Sequence, residues 1–273
     1  MEEYRLIALD IDGTLLNSNL EVTPGNRAAI RRAAEAGKHV ALSTGRCLSE
    51  IRDVVEDIPE IRYMVCENGS CVYDRKYDHT IQVVPVPPEE VRNILEIAKR
   101  ERVVIQIFHE NQSYFNQRSE DFADRCHVGV YRDTFRRTAV FDEKLFDNYG
   151  ARPFRIEKMN LYFETAEDRA RIQAMLAPRP LKLAVSFGCM LEIVAERADK
   201  GWGLRELCGH LNVPVSAAIA VGDSMNDVEI LRAAGFSAAM GNACPEAKEA
   251  AHIVAPDCDH DGVAWVIDNF LLK

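Results

Sequence analysis

Apolar residues fall along this chain in short runs that end on polar turns, and the first is "LIALD", residues 6–10. A brief run without strict alternation suits a strand covered on both faces. "TPGNRAAIRRAAEAG" follows, with Thr23 as a candidate N-cap, Pro24 at the first helical position and Gly37 past the end. "HVALST" (39–44) then reads as a second buried strand and "YMVCENG" (63–69) as a third. Strand–helix–strand repetition of this kind predicts a parallel sheet.

The texture changes between about residues 84 and 190. "VVPVPPEE" is Pro-rich, "PPEEVRNILEIAKRERVVIQIF" predicts a helix leading into a strand, and "PFRIEKMNLYFE", "LKLAVSF" and "MLEIVAE" read as further strands around the helix "AEDRARIQAML". Clustered strands predict an α+β module with an antiparallel or mixed sheet. After Lys200 the alternation returns: helix "GWGLRELCGHL", strand "AAIAVGD", helix "NDVEILRAAG", strand "SAAMGN", helix "PEAKEAA", strand "HIVA" and helix "DGVAWVIDNFLL". The expected organisation is an α/β core made of residues 1–83 and 192–273, interrupted by an inserted unit over 84–191.

Composition narrows the function classes. The chain has 273 residues, 47% hydrophobic and 28% charged, with a net charge of −10 and both signs interspersed. A general nucleic-acid binder would need a basic face, so no nucleic-acid partner is expected. No stretch approaches the roughly 18–20 apolar residues that span a bilayer, so no membrane partner is expected either. Cys47, Cys66, Cys71, Cys126, Cys189, Cys208, Cys244 and Cys258 show no C-x-x-C or zinc-type spacing. With no basic, apolar leader before "LIALD", these read as reduced thiols, mostly core filler, in a cytoplasmic protein.

Candidate chemistry lies in four fragments where predicted strands end or helices begin: "DIDGT" (10–14), "STGR" (43–46), "DKG" (199–201) and "GDSMND" (222–227). The carboxyl ends of strands in an open parallel sheet line its ligand crevice. Asp10, Asp12 and Asp223 offer hard oxygen ligands for Mg²⁺. Ser43, Thr44 and Gly45 offer hydroxyl and backbone N–H donors, and Lys200 a point cation, all suited to a phosphoryl group. Carboxylates alone would repel a phosphate dianion, so the metal and Lys200 are needed to invert the local field. Asn226 can donate from its amide, and Asp227 can hold Lys200 or a metal-bound water. Arg46 reads either as a substrate ligand or as a surface charge, and Asn68 in "ENGS" either as a supporting residue or as a simple turn residue.

These four motifs, in order and spacing, resemble the haloacid dehalogenase superfamily, specifically the Cof-type phosphatases with a large cap inserted between the second and third motifs. Weaker matches at "ENG" (67–69), "MGNA" (240–243) and "DGVA" (261–264) extend the likeness over the core. The resemblance implies a Rossmann-like parallel-sheet core with an inserted α+β cap domain. It also implies a Mg²⁺-dependent phosphatase for a small phosphorylated metabolite, such as a sugar phosphate or a phosphorylated cofactor. Asp10 would be the nucleophile that forms an aspartyl-phosphate, and Asp12 the general acid and base. Mg²⁺ would be held by the carboxylates of Asp10 and Asp223 and the main-chain carbonyl of Asp12, with Thr44 and Lys200 stabilising the transferring oxygens.

A phosphosugar mutase, or a non-catalytic phospho-ligand sensor, are the competing readings; retention of both Asp10 and Asp12 counts against the sensor. Specificity is expected in the inserted unit and its rim near Phe187 to Met190. Asp257, Asp259, Asp261, Gly262 and Asp268 reproduce EF-hand spacing with Asp for the terminal Glu. That reading would make "VAWVID" a loop, whereas its apolar spacing predicts the last helix.

Overall fold

The computed structural model describes residues 3–186 and 189–273. Phe187 and Gly188, where the specificity rim was expected to begin, lie outside the described residues. In chain order the strands are β1 (Leu6–Leu9), β2 (His39–Ser43), β3 (Tyr63–Cys66), β4 (Cys71–Asp74), β5 (His79–Val83), β6 (Val104–His109) and β7 (Gln112–Phe115). They continue as β8 (Val140–Phe141), β9 (Lys158–Tyr162), β10 (Leu181–Ser186), β11 (Met190–Ala195), β12 (Ala218–Gly222), β13 (Phe236–Ala239) and β14 (Ile253–Val254). The chain divides into two compact units: one comprises the chain up to Gly45, Asp53–Val83 and Asp199–Lys273, and the other Arg46–Arg52 with Val84–Ala198.

The first unit is built on an eight-stranded sheet in the order β14-β13-β12-β1-β2-β3-β4-β5. From β14 to β3 the neighbours are parallel; β4 and β5 add antiparallel. β1 sits at the centre between β12 and β2, and all four of its residues are buried, as its uninterrupted apolar run requires. The Pro24–Glu35 helix starts where predicted: Thr23 Oγ1 accepts from the Asn26 N–H at 3.2 Å. Gly262–Val266 is helical and helical turns continue through Leu271, so "VAWVID" is not a calcium loop. The helix Leu48–Asp57 and the strands β4 and β5 are additions to the predicted elements. β5 is a half-exposed edge strand with polar residues interleaved, which leaves it little hydrophobic signature.

The second unit has a six-stranded sheet in the order β10-β11-β9-β6-β7-β8, antiparallel except between β7 and β8. One face carries Ile105, Ile107, Met159, Leu161, Leu191 and Ile193 into a core with Val91, Ile94 and Leu95 of the Pro88–Glu101 helix and with Ile172 and Leu176. Alternation puts Gln106, Asn160 and Glu192 on the opposite face, in a matched row across β6, β9 and β11. Burying that row demands partners. Asn160 Nδ2 and the Tyr162 hydroxyl donate to Gln106 Oε1 at 2.9 and 2.5 Å, and Lys158 Nζ meets Glu192 at 3.2 Å. Because β11 stays in register with β9 and β10 through Val194 and Ala195, this unit runs on to Ala198 rather than ending at residue 191. Among the described residues no helix is long and apolar enough to cross a membrane. The eight cysteines are thiols, all but Cys244 buried.

Candidate active site

Asp10 follows β1 directly and is still in the ladder, its N–H donating to the Val221 carbonyl at 2.9 Å. Asp223 follows the neighbouring strand β12. Two parallel neighbours therefore deliver their carboxylates side by side at the sheet's carboxyl edge. Between Asp12 and Thr14 the chain turns through Gly13 at φ +77°, a left-handed conformation that glycine tolerates. A Cβ there would also stand 2.7 Å from Asp223 Oδ2. Thr14 then donates from Oγ1 to Asp223 Oδ1 at 2.9 Å, and Asn242 Nδ2 donates to the Gly13 carbonyl at 2.8 Å. Asp12 is half-buried beside them.

Lys200 is the first residue of the Lys200–Leu211 helix, whose N-cap Asp199 accepts from the Trp202 N–H at 2.6 Å. Its side chain is fully buried, and Nζ donates to Asp10 Oδ1 and Asp227 Oδ1, each at 2.6 Å. Asp227 Oδ2 accepts from the backbone N–H groups of Asp223 and Ser224, both at 3.0 Å, and from Ser224 Oγ at 3.3 Å. Ligand oxygens of Asp10, Asp223 and Asp227 lie within 4.8 Å of one another. Among the described residues the carboxylate cluster thus contains Asp227, which the sequence offered as a holder, and does not contain the Asp12 carboxylate. Both oxygens of Asp227 are engaged, one by Lys200 and one by the loop backbone and the Ser224 hydroxyl.

The second motif enters from the end of β2. Ser43 is buried, and its hydroxyl has no hydrogen-bond partner among the described residues. Thr44 is buried too; its N–H donates to the Val65 carbonyl at 2.8 Å and its carbonyl accepts from the Asn68 N–H at 3.0 Å. Asn226 donates from Nδ2 to Asn68 Oδ1 at 3.0 Å and accepts from Ser224 Oγ at 2.6 Å. Gly45 closes this segment of the first unit, but Arg46 groups with the second, where its guanidinium lies 5.8 Å from the centre of the Tyr131 ring. Thr14, Gly13 and Asn242 were not singled out as site residues, although the "DGT" and "MGNA" fragments contain them.

Electrostatics follow from this crowding. Burial pushes the Asp10 carboxyl well above the usual range, the charge of Asp227 adds to it, and Lys200 opposes. Burial, then Asp227, raises Asp223 to about 6, against the hydrogen bond from Thr14 and the charge of Lys200. Burial alone would lower Lys200, but Asp10 and Asp227 more than reverse it and hold the ammonium charged. Several close carboxylates share one cation, so the site is short of positive charge. Hard, clustered oxygens in that condition fit a small divalent ion.

The chain resembles known proteins over nearly its whole length. A profile of the haloacid dehalogenase-like hydrolases matches residues 7–267. Phosphatase YwpJ of Bacillus subtilis is 29% identical over 301 residues, covering 98% of this chain and 100% of that protein. The 5-amino-6-(5-phospho-D-ribitylamino)uracil phosphatase YcsE of the same organism is 26% identical over 275 residues, covering 99% and 97%. A solved haloacid dehalogenase-like hydrolase from B. subtilis superimposes with a TM-score of 0.87 at 26% identity, covering 98% of this chain and 100% of that one.

Proposed function

The chain belongs to the haloacid dehalogenase-like hydrolases and is a phosphatase of that family, and we propose that it hydrolyses a small phosphorylated metabolite through an aspartyl-phosphate on Asp10, with Mg²⁺. The observation that carries this reading is the Lys200 ammonium, buried and bonded at 2.6 Å to both Asp10 and Asp227, with Asp223 alongside. A cation so placed neutralises a carboxylate that must approach a phosphate dianion. The carboxylates of Asp10 and Asp223 and the Asp12 carbonyl would hold Mg²⁺, which when bound supplies Lewis-acid stabilisation of the phosphoryl oxygens.

In the first step an Asp10 carboxylate oxygen attacks phosphorus, the bond from phosphorus to the ester oxygen breaks, and Asp12 gives that oxygen its proton. In the second, Asp12 takes a proton from water, the resulting nucleophile attacks phosphorus, and the acyl-phosphate bond breaks to release phosphate and restore Asp10. Lys200, Thr44 and the Ser43 hydroxyl face the charge that builds on the transferring oxygens, and stabilising that charge is the main source of rate in phosphoryl transfer. Asn226 and Asn68 support them.

The YcsE activity, on a phosphorylated ribityl compound, supports a small phosphometabolite as the substrate class. We read the second unit as the cap domain that sets substrate choice. The test is acid-quenched mass spectrometry with an aryl phosphate. The expected result is an adduct of about 80 Da on Asp10, the mass of a phosphoryl group added by the nucleophilic route, absent in Asp10→Asn and in excess chelator. A phosphate release that survives either treatment would overturn the mechanism, and transfer to a second sugar hydroxyl instead of water would identify a mutase.

A further inference from the structure

Between β3 and β4 the chain reverses over Glu67–Ser70, and three consecutive residues adopt positive φ: Glu67 at 57°, Asn68 at 55° and Gly69 at 90°. Asparagine tolerates this region and glycine is at ease in it, but glutamate is not. Strained backbone of this kind persists only where its surroundings over-determine it. Those surroundings are three of the four motif segments. The Asn68 N–H donates to the Thr44 carbonyl at 3.0 Å, and Asn68 Oδ1 accepts from Asn226 Nδ2 at 3.0 Å. Gly69 lies against the start of the lysine helix: a Cβ on it would run into the Asp199 carbonyl and stand 2.9 Å from the Lys200 nitrogen. The helix answers with its own glycine, since a Cβ on Gly203 would meet Val65 and lie 3.3 Å from the Gly69 Cα. The turn is buried throughout.

We propose that this turn is the positioning element of the phosphoryl-transfer site, with Asn68 and Gly69 as its positioning residues. It holds the segment carrying Thr44, the helix start carrying Lys200 and the loop carrying Asn226 and Asp227 in one mutual register. The proposal rests on the phosphatase reading above. None of these contacts reaches a reacting atom. Asn68 acts through Asn226, and Gly69 acts through the placement of the Lys200 backbone, where a misplacement of the order of 1 Å costs about 100-fold in rate.

The experiment compares Asn68→Gly, which keeps the left-handed turn and removes the side-chain amide whose oxygen accepts from Asn226, with Gly69→Ala, which forces the Asp199–Lys200 backbone away. Steady-state kinetics on an aryl phosphate with Mg²⁺ are paired with thermal unfolding. Asn68→Gly is expected to lower kcat about tenfold with KM and Tm near wild type, and to cause no further loss in an Asn226→Ala background, because residues acting as a unit are not additive. Gly69→Ala is expected to lower kcat about 100-fold and to add nothing in a Lys200→Ala background. A fall in Tm with unchanged kcat, or full losses that multiply in the second backgrounds, would reduce the turn to a structural element and overturn the proposal. Should Gly69→Ala not fold, the Asn68→Gly arm decides alone. Failure of the wild type to release phosphate would overturn the phosphatase reading instead, a result readable before any variant is made.

Discussion

Replacing Asp227 by asparagine separates two jobs that the carboxylate cluster could assign to it. One Asp227 oxygen takes the Lys200 ammonium and the other takes two backbone N–H groups and a hydroxyl. An amide turned either way sets its NH₂ against a donor, the ammonium in one orientation and the Asp223 and Ser224 N–H groups in the other. Hydrogen bonds to a charged group are worth about 1.5–3 kcal/mol each, and breaking a buried ion pair costs about 3–5 kcal/mol. Lys200 keeps Asp10 as a partner, so the lower end applies, about 3 kcal/mol. For a chain of this size that is a fall in Tm of roughly 6–12 °C, measurable by scanning fluorimetry in metal-free buffer. kcat on an aryl phosphate should fall about 100-fold as Lys200 and the 223–227 loop lose their common anchor. The Mg²⁺ concentration for half-maximal activity should stay within about twofold, because coordination is assigned to Asp10, Asp223 and the Asp12 carbonyl. An unchanged metal-free Tm together with a large rise in the Mg²⁺ requirement would refute the assignment and make Asp227 a metal ligand.

Asp12→Asn should leave a burst of phosphorylation with a good leaving group and slow the following steady state by about 10²–10⁴-fold; an effect below tenfold in rapid-quench kinetics would contradict its role as base. Lys158→Met should lower stability by about 3 kcal/mol, because it removes the ammonium from the buried Glu192 carboxylate while the Ser186 hydroxyl stays on it, and Lys158→Met/Glu192→Leu should recover most of it in urea unfolding. The Arg62 guanidinium holds the buried Asp74 carboxyl below its usual range through hydrogen bonds at 2.8 and 2.6 Å. A depressed carboxylate contributes stability above its unfolded pKa, and that contribution is lost as pH falls through the folded one. With Arg62 about one-third exposed (32%), the pair is worth about 1 kcal/mol at neutral pH. Asp74→Asn should therefore lower the urea midpoint at pH 7 and converge with wild type below the usual carboxylate range of about 4; parallel curves throughout would refute the pairing.

Local chemistry made much of this protein readable in one dimension. β1, β2 and β12 are continuous apolar runs with the sheet edge marked by the first polar residue, and the Pro24–Glu35 helix carries its cap and its proline in adjacent positions. Hydrophobic burial and capping act over a few residues, so Asp10, Thr44, Lys200 and Asp223 stand out by residue type and position alone. Assembly was another matter. Lys200 meets Asp10 across 190 positions and Asn226 meets Asn68 across 158, distances over which no periodicity carries information. Whether Asp227 faces a metal or a lysine, whether Arg46 travels with the first unit or the second, and that β11 extends the inserted unit to Ala198 all depend on which elements pack together. The Glu67–Ser70 turn is the clearest case: "ENGS" reads as an ordinary reversal, and its hold on three motifs exists only because Gly69 and Gly203, with no side chains to separate them, let a turn and a helix start come into backbone contact.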